Sequence, residues 1–254
     1  RSIKLDKYQV TSTAKPLFSD VSAAVFSKVP RHRQELLHGV DKYINKTDRI
    51  VGSSLIGSQG MALGDVNGDG LDDIYLAQQG GLANRLYIHQ KDGSVIENAA
   101  TAGVDFLDNT RGVLLCDFDN DGDQDLAVAV GANILIAYND GTGIFTERAA
   151  LRMTDPADIY SMTAGDPDND GDLDLHIINT GSADKLFDNA AGTFTDVTSL
   201  QGIANTDNAR ANVWGDIDSD GDMDLYLSIY STSKANVMYV NENMGTTTLF
   251  VRPL

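Results

Sequence analysis

A nine-residue pattern of alternating aspartates occurs four times, as DVNGDGLDD at 65–73, DFDNDGDQD at 117–125, DPDNDGDLD at 166–174 and DIDSDGDMD at 216–224. The first residues of successive copies are 52, 49 and 50 positions apart. A period of that length restricts the chain to a solenoid, a propeller or an array of repeated units. Each copy sits in the same frame. A short apolar run precedes it (GMALG, GVLLC, SMTAG, NVWG) and another follows it (IYLAQ, LAVAV, LHIIN, LYLSI). A segment such as NRLYIH or NILIAY, a glycine-containing turn and a segment such as TFTDVT complete the unit. Short apolar and β-branched runs bounded by Gly, Asn and Asp read as strands. Four strands in a repeat of about fifty residues match the blade of a β-propeller. A parallel β-helix uses shorter coils, and a βαβ array needs a helical periodicity that is absent. The expected fold is therefore all-β: a β-propeller of four-stranded blades over residues 60–254, preceded by an N-terminal extension over 1–59 that holds one strand and one helix and belongs with a closing blade.

The motif places oxygen side chains at alternate positions. Positions 1, 3 and 5 are Asp65, Asn67 and Asp69; Asp117, Asp119 and Asp121; Asp166, Asp168 and Asp170; Asp216, Asp218 and Asp220. Position 6 is Gly70, Gly122, Gly171 or Gly221, and position 9 is Asp73, Asp125, Asp174 or Asp224. A glycine at the sixth place permits the sharp bend that turns the carbonyl of position 7 inward, here that of Leu71, Asp123, Asp172 or Asp222. Such a loop wraps a hard cation. Calcium is favoured over zinc because the pattern offers no Cys or clustered His ligands, and over magnesium because many oxygens on one flexible loop suit the larger ion. Position 12 is Leu76, Val128, Ile177 or Leu227, where an EF-hand has its bidentate Glu, so position 9 must close the shell. About four Ca2+ are expected, coupled to folding, because several carboxylates within a few ångströms repel one another without an ion between them.

Net charge is −18 with an isoelectric point near 4.3, which argues against nucleic acid as a partner. No apolar run is long enough to span a membrane. Residues 1–50 run against the trend, with ten Lys/Arg and five Asp/Glu. Within them PRHRQELLHGVDKYINK (30–46) is the one helix candidate, with Leu36, Leu37, Val40, Tyr43 and Ile44 on one face. Cys116, the only cysteine, reads as a buried strand residue. No nucleophile elbow, phosphate-binding loop or dinucleotide fingerprint is present, and the four histidines are scattered, so an enzyme is not expected. His176 reads as structural. Trp214, Tyr226 and Tyr230 flank the fourth loop, either as a sugar-stacking cluster or as sheet core, and Arg111 and Arg210 read as inter-blade or surface residues.

The pattern D-x-[DN]-x-D-G-x-x-D with its flanking strands resembles the FG-GAP/VCBS repeats, related to those of integrin α-subunit propellers, over about residues 60–250. The terminal TTTLFVRPL faintly resembles the entry to an ASPIC/UnbV domain. The resemblance implies an integrin-like calcium-binding propeller in an extracellular or periplasmic setting. PLFSDVSAAVF (16–26) is similar to the GTFTDVTSL strand without its own calcium loop. Together these imply a five-bladed ring or part of a larger one, associating with the rest of a longer chain or with another subunit. The function expected is a calcium-stabilised module for adhesion or scaffolding, its partner a protein or a glycan at the cell surface or in the periplasm. The alternatives are a calcium-dependent lectin and a catalytic or non-catalytic subunit of a secreted enzyme complex.

Overall fold

The structure is a computed structural model that describes residues 18–30, 60–130, 132–153, 158–242 and 251–253. Among the described residues, sixteen strands form four antiparallel sheets, each a meander of four consecutive strands. The first contains β1 (Met61–Gly64), β2 (Asp73–Leu76), β3 (Arg85–His89) and β4 (Val95–Glu97). The second contains β5 (Thr110–Cys116), β6 (Asp125–Val130), β7 (Asn133–Asn139) and β8 (Phe145–Arg152). The third contains β9 (Asp158–Gly165), β10 (Asp174–Thr180), β11 (Lys185–Ala190) and β12 (Thr193–Asp196). The fourth contains β13 (Ala209–Gly215), β14 (Asp224–Ile229), β15 (Val237–Asn241) and β16 (Val251–Pro253). The four-strand repeat unit expected from the sequence is therefore present four times. The first strands lie side by side in chain order, β1 against β5, β5 against β9 and β9 against β13.

Every aspartate motif is the loop between the first two strands of its sheet. The register is the same each time: Gly64 pairs with Asp73, Cys116 with Asp125, Gly165 with Asp174 and Gly215 with Asp224. The fourth strand then leads into a single helical turn, Ala99–Ala102 in the first sheet and Thr198–Gln201 in the third. Gly103 and Gly202 end these turns in the left-handed region that glycine tolerates. A similar helical turn, Ser22–Val25, stands ahead of β1. Ser22 N donates to Asp20 Oδ1 at 2.9 Å, as Thr198 N donates to Asp196 Oδ1 at 3.1 Å. The likeness between residues 16–26 and the GTFTDVTSL segment thus extends to a helical turn. Val25, Phe26 and Val29 pack on Ile74, Leu76, Tyr87 and Val95 of the first sheet. The helix candidate at 30–46 falls almost wholly outside the described residues.

The core lies between sheets. Tyr75, Leu86 and Val104 meet Val113, Leu126 and Val128 across the first interface. Phe118, Ile134 and Ile136 meet Met162, Leu175 and Ile177 across the second, and Ile178, Leu186 and Ile203 meet Leu225 and Leu227 across the third. Packing on both sides explains the LAVAV run: all six residues of β6 are buried, and nearly all of β10. In the outer sheets β2 and β14 alternate between buried and half-buried residues, as strands with one covered face do. Each fully buried Leu or Ile contributes roughly 1.5–3 kcal/mol, so the three interfaces hold the sheets together.

The row is open at both ends among the described residues. Met61 and Leu63 of the first sheet are 62% and 60% exposed, and Val213 and Ile217 of the fourth are 57% and 61% exposed. Ile217 occupies the second loop position, where Val66 and Phe118 are each 1% exposed beneath the following sheet.

Candidate metal centres

The four loops share one hydrogen-bonded frame. The position-1 carboxylate accepts from the backbone N–H groups of positions 5 and 6: Asp65 from Asp69 and Gly70, Asp117 from Asp121 and Gly122, Asp166 from Asp170 and Gly171, and Asp216 from Asp220 and Gly221, all at 2.7–3.2 Å. The position-5 Oδ1 accepts from the N–H of position 7 in every copy, at 2.9–3.0 Å. These bonds curl the backbone and turn the other carboxylate lone pairs toward the loop centre. The position-6 glycines have φ between 83° and 100°, a conformation that disfavours a Cβ. Position 4 is left-handed as well, at Gly68, Asn120, Asn169 and Ser219. The Gly/Asn preference at position 4 carried that signal in the sequence, and the alternating-aspartate reading passed over it.

Position 9 does more than face an ion. Asp73, Asp125, Asp174 and Asp224 are all buried. Their Oδ1 atoms accept from the N–H of His89, Asn139, Asn189 and Asn241 at 2.7–2.9 Å, which ties the loop to the third strand. The Oδ2 atoms of Asp73, Asp125 and Asp224 accept from the position-2 N–H of Val66, Phe118 and Ile217 at 2.8–3.1 Å. This aspartate is both the hinge of the loop and a ligand candidate.

Ligand oxygens converge within 4.8 Å of one another in Asp117, Asp119 and Asp125, in Asp166, Asp168 and Asp170, and in Asp216, Asp218 and Asp224. A further group joins Asp168 and Asp174 to Asp188 of β11, a residue outside the nine-residue motif. In the first loop Asn67 replaces the position-3 carboxylate and accepts from Asp69 N at 3.1 Å. Two position-7 side chains point between loops: Asn120 Nδ2 donates to Asp172 Oδ1, and Asn169 Nδ2 donates to Asp222 Oδ1 at 2.7 Å. That leaves the main-chain carbonyl as the atom which Asp172 and Asp222 can offer within their own loops.

The electrostatics match a site built for a cation. Burial pushes Asp174 up to about 8, with the charges of Asp168, Asp188 and Asp170 adding to the effect. Burial also raises Asp125 to about 6 against the hydrogen bonds from Asn139 and Phe118, and Asp168 to about 6 with help from Asp170 and Asp188. Carboxylates held this close without a compensating charge prefer to be protonated, and a divalent ion removes that preference. An all-oxygen donor set with up to five carboxylates fits calcium.

A second set of side chains, unread in the sequence, stitches the loops together. Asn139 and Asn241 end the third strands of their sheets, and Asn189 is next to last in its own. Their Nδ2 groups donate to the carbonyls of Val66, Phe118 and Pro167 in the preceding loop at 2.8, 2.9 and 2.6 Å. Each also donates to the position-8 carbonyl of its own loop, at 3.1–3.2 Å.

Burial lowers His176 to about 3, and its Nδ1 lies 2.8 Å from Asn212 Nδ2. Trp214 packs edge-on against His176. Arg210 of β13 lies between the rings of Tyr160 and Tyr230, at 4.2 and 5.1 Å from their centroids. Burial raises the Cys116 thiol to about 11, so it is not a reactive thiolate. Tyr226 and Met238 line a cavity of about 290 Å³ on the open face of the fourth sheet, with Val213 and Ile217.

No curated protein sequence matches the chain. Among solved structures, it is similar to an Agrocybe aegerita lectin specific for non-reducing terminal N-acetylglucosamine, at 22% identity and a TM-score of 0.47, over 75% of this chain and 50% of that one. The Photorhabdus luminescens Tc holotoxin pore is similar at 17% identity and a TM-score of 0.45, over 75% of this chain and 9% of that one. The V. cholerae biofilm matrix protein Bap1 is similar at 12% identity and a TM-score of 0.44, over 74% and 35%. The chain thus spans about half the length of the lectin and less of the other two. A family profile described as FG-GAP-like repeat matches residues 65–128, 117–177 and 166–227, each match running from one aspartate loop through the next. With well over half of its length covered by three overlapping matches, and the same loop geometry in every copy, the chain belongs to the FG-GAP-like repeat family.

Proposed function

We propose that the chain is a calcium-stabilised binding module whose four sheets are successive blades of a β-propeller. The observation that carries this reading is the fourfold identity of the aspartate loops, down to the bonds that orient each carboxylate. Calcium supplies fixed positive charge: it holds each loop closed against its sheet and does no chemistry on a substrate. Asp65, Asn67, Asp69 and Asp73, with their counterparts in the other loops, hold the ion, and position 7 adds its carbonyl.

Binding rather than catalysis is supported by how the side chains are used. The aspartates serve as latches and ligand candidates, and His176 is locked in the core. The partner, a protein or a glycan, meets the end of the sheets opposite the aspartate loops. There the connections between second and third strands differ in every sheet, spanning residues 77–84, 131–132, 181–184 and 230–236. Uniform loops at one end and divergent loops at the other are the pattern of a rigid scaffold presenting a recognition surface. A setting outside the cytoplasm, extracellular or periplasmic, suits loops of this kind, whose affinities fall at roughly 10⁻⁴–10⁻³ M in extracellular modules. Trp214 packs edge-on against His176 and lines, with Tyr226, the cavity on the open face of the fourth sheet, while Tyr230 lies against Arg210, so two of the three aromatic residues of the lectin alternative share one pocket.

The test is calcium-dependent stability. At tenfold the dissociation constant each occupied site adds about 1.4 kcal/mol to the folded state. Thermal melts of metal-stripped protein should therefore shift upward with added calcium, and isothermal titration should count about four ions by this reading. A melting temperature unchanged between excess calcium and EDTA overturns it.

A further inference from the structure

We propose that the third loop is the tightest of the four cation sites, because Asp188 supplies it with a carboxylate that no other loop receives; this rests on the calcium reading above. Asp188 immediately precedes Asn189, whose N–H bonds the position-9 aspartate. The residues in that place in the other sheets are Ile88, Tyr138 and Val240, which offer no anionic ligand. Asp188 converges on Asp168 and Asp174, and Asp168 also groups with Asp166 and Asp170. Among the described residues, only this loop gathers two such groups through a shared member.

An independent observation points the same way. In the first, second and fourth loops the position-2 N–H caps Oδ2 of the position-9 aspartate. Position 2 of the third loop is Pro167, which has no N–H. Asp174 is only 2% exposed, and its Oδ2 lacks the backbone donor that its three counterparts have. A buried carboxylate oxygen beside two other carboxylates carries a large desolvation penalty unless positive charge meets it. The missing proton donor and the additional carboxylate both leave the third loop the most electronegative and the most responsive to a cation. Calcium affinity rises with ligand charge count, so the loops should rank with the third first and the first, with its neutral Asn67, last.

The experiment is isothermal titration of metal-stripped full chain with CaCl2, comparing wild type with Asp188→Asn and Val240→Asp. Wild type should show one site about tenfold or more tighter than the rest. Asp188→Asn, nearly isosteric, should lose that tight site and keep the weaker ones, with an unchanged circular dichroism spectrum. Val240→Asp places a carboxylate at the equivalent position beside the fourth loop and should tighten one weak site several-fold. This second variant decides the matter should Asp188→Asn fail to fold. Four indistinguishable sites in wild type, a tight site that survives Asp188→Asn, or no gain in folded Val240→Asp overturns the assignment while leaving the calcium reading standing. An absence of calcium binding in wild type overturns both.

Discussion

Replacing Asn189 tests whether the sheets are fastened through their loops. Its Nδ2 donates to Phe118 O of the second loop at 2.9 Å and to Leu173 O of the third at 3.2 Å, while its Oδ1 accepts from Gly192 N at 2.9 Å. The residue is fully buried, so water cannot replace these partners. Asn189→Ala removes three hydrogen bonds of about 1 kcal/mol net each and leaves two carbonyls and one N–H poorly satisfied, a loss of about 3–4 kcal/mol. Asn189→Asp keeps the size and the bond from Gly192 but turns a buried carboxylate oxygen toward two carbonyl oxygens. It should therefore be the more damaging change, although it is the smaller one in volume. The assay is equilibrium urea unfolding in EDTA, which isolates the latch from the metal. An alanine variant within about 0.5 kcal/mol of wild type, the range of an inconsequential surface change, refutes the reasoning. So does an aspartate variant that is more stable than the alanine one.

Three further outcomes are expected. Asp125→Ala should destabilise the protein by about 2–3 kcal/mol even in EDTA, since Phe118 N and Asn139 N lose their acceptor, and should also weaken calcium binding. Gln124→Ala should do neither, and equal calcium losses from the two in titration would show the alignment of positions 8 and 9 to be mistaken. Burial raises Asp184 from 3.8 to about 6 against bonds from Asn179 N and Asn205 Nδ2, so the folded state holds this proton more tightly than the unfolded one. Its contribution is fully present below pH ~4 and is lost as pH rises through 6, by about 3 kcal/mol; urea unfolding from pH 4 to 7.5 should show a shallower decline in Asp184→Asn, and identical slopes would refute the assignment. Gly122→Ala, at φ 95°, should cost about 1–2 kcal/mol and weaken one calcium site, read by thermal melts with and without calcium.

The parts of this fold that could be read from the chain are those whose physics is local. The loop oxygens, the bend at position 6 and the strand runs on either side lie within about a dozen consecutive residues, and their repetition removes chance as an explanation. What escaped is what depends on distant segments. Asn139, Asn189 and Asn241 bond to carbonyls 71–74 residues earlier in the chain, and an asparagine before a turn reads as ordinary turn chemistry. Asp188 approaches its loop from a different strand, where its neighbours in KLFDNA read only as strand. The turns Ala99–Ala102 and Thr198–Gln201 are four residues long, too short for helical periodicity to show. The exit segment beginning at Phe18 was recognisable because it shares the FSDVS/FTDVT pattern, but its packing on Tyr87 and Val95 was not.

The latches make the aspartate end of the molecule one mechanical unit rather than four separate sites. Position 9 fastens each loop to its own third strand, and the asparagine at or next to the end of that strand fastens it to the preceding loop. The bonds from Asn120 to Asp172 and from Asn169 to Asp222 add a second line of stitches along the same edge. A change in one loop is therefore felt by the position-2 carbonyl and the position-9 carboxylate of its neighbours. The opposite end has no comparable chain of loop-to-loop bonds between adjacent second-to-third-strand connections among the described residues, and it is there that the connections differ in length. The fourth loop extends the logic outward: Ile217 stands where Val66, Phe118 and Pro167 each receive an asparagine from the following sheet, with no such sheet among the described residues and its side chain exposed. The interface that joins each pair of sheets is thus present at this end as one half, complete in its own loop and face.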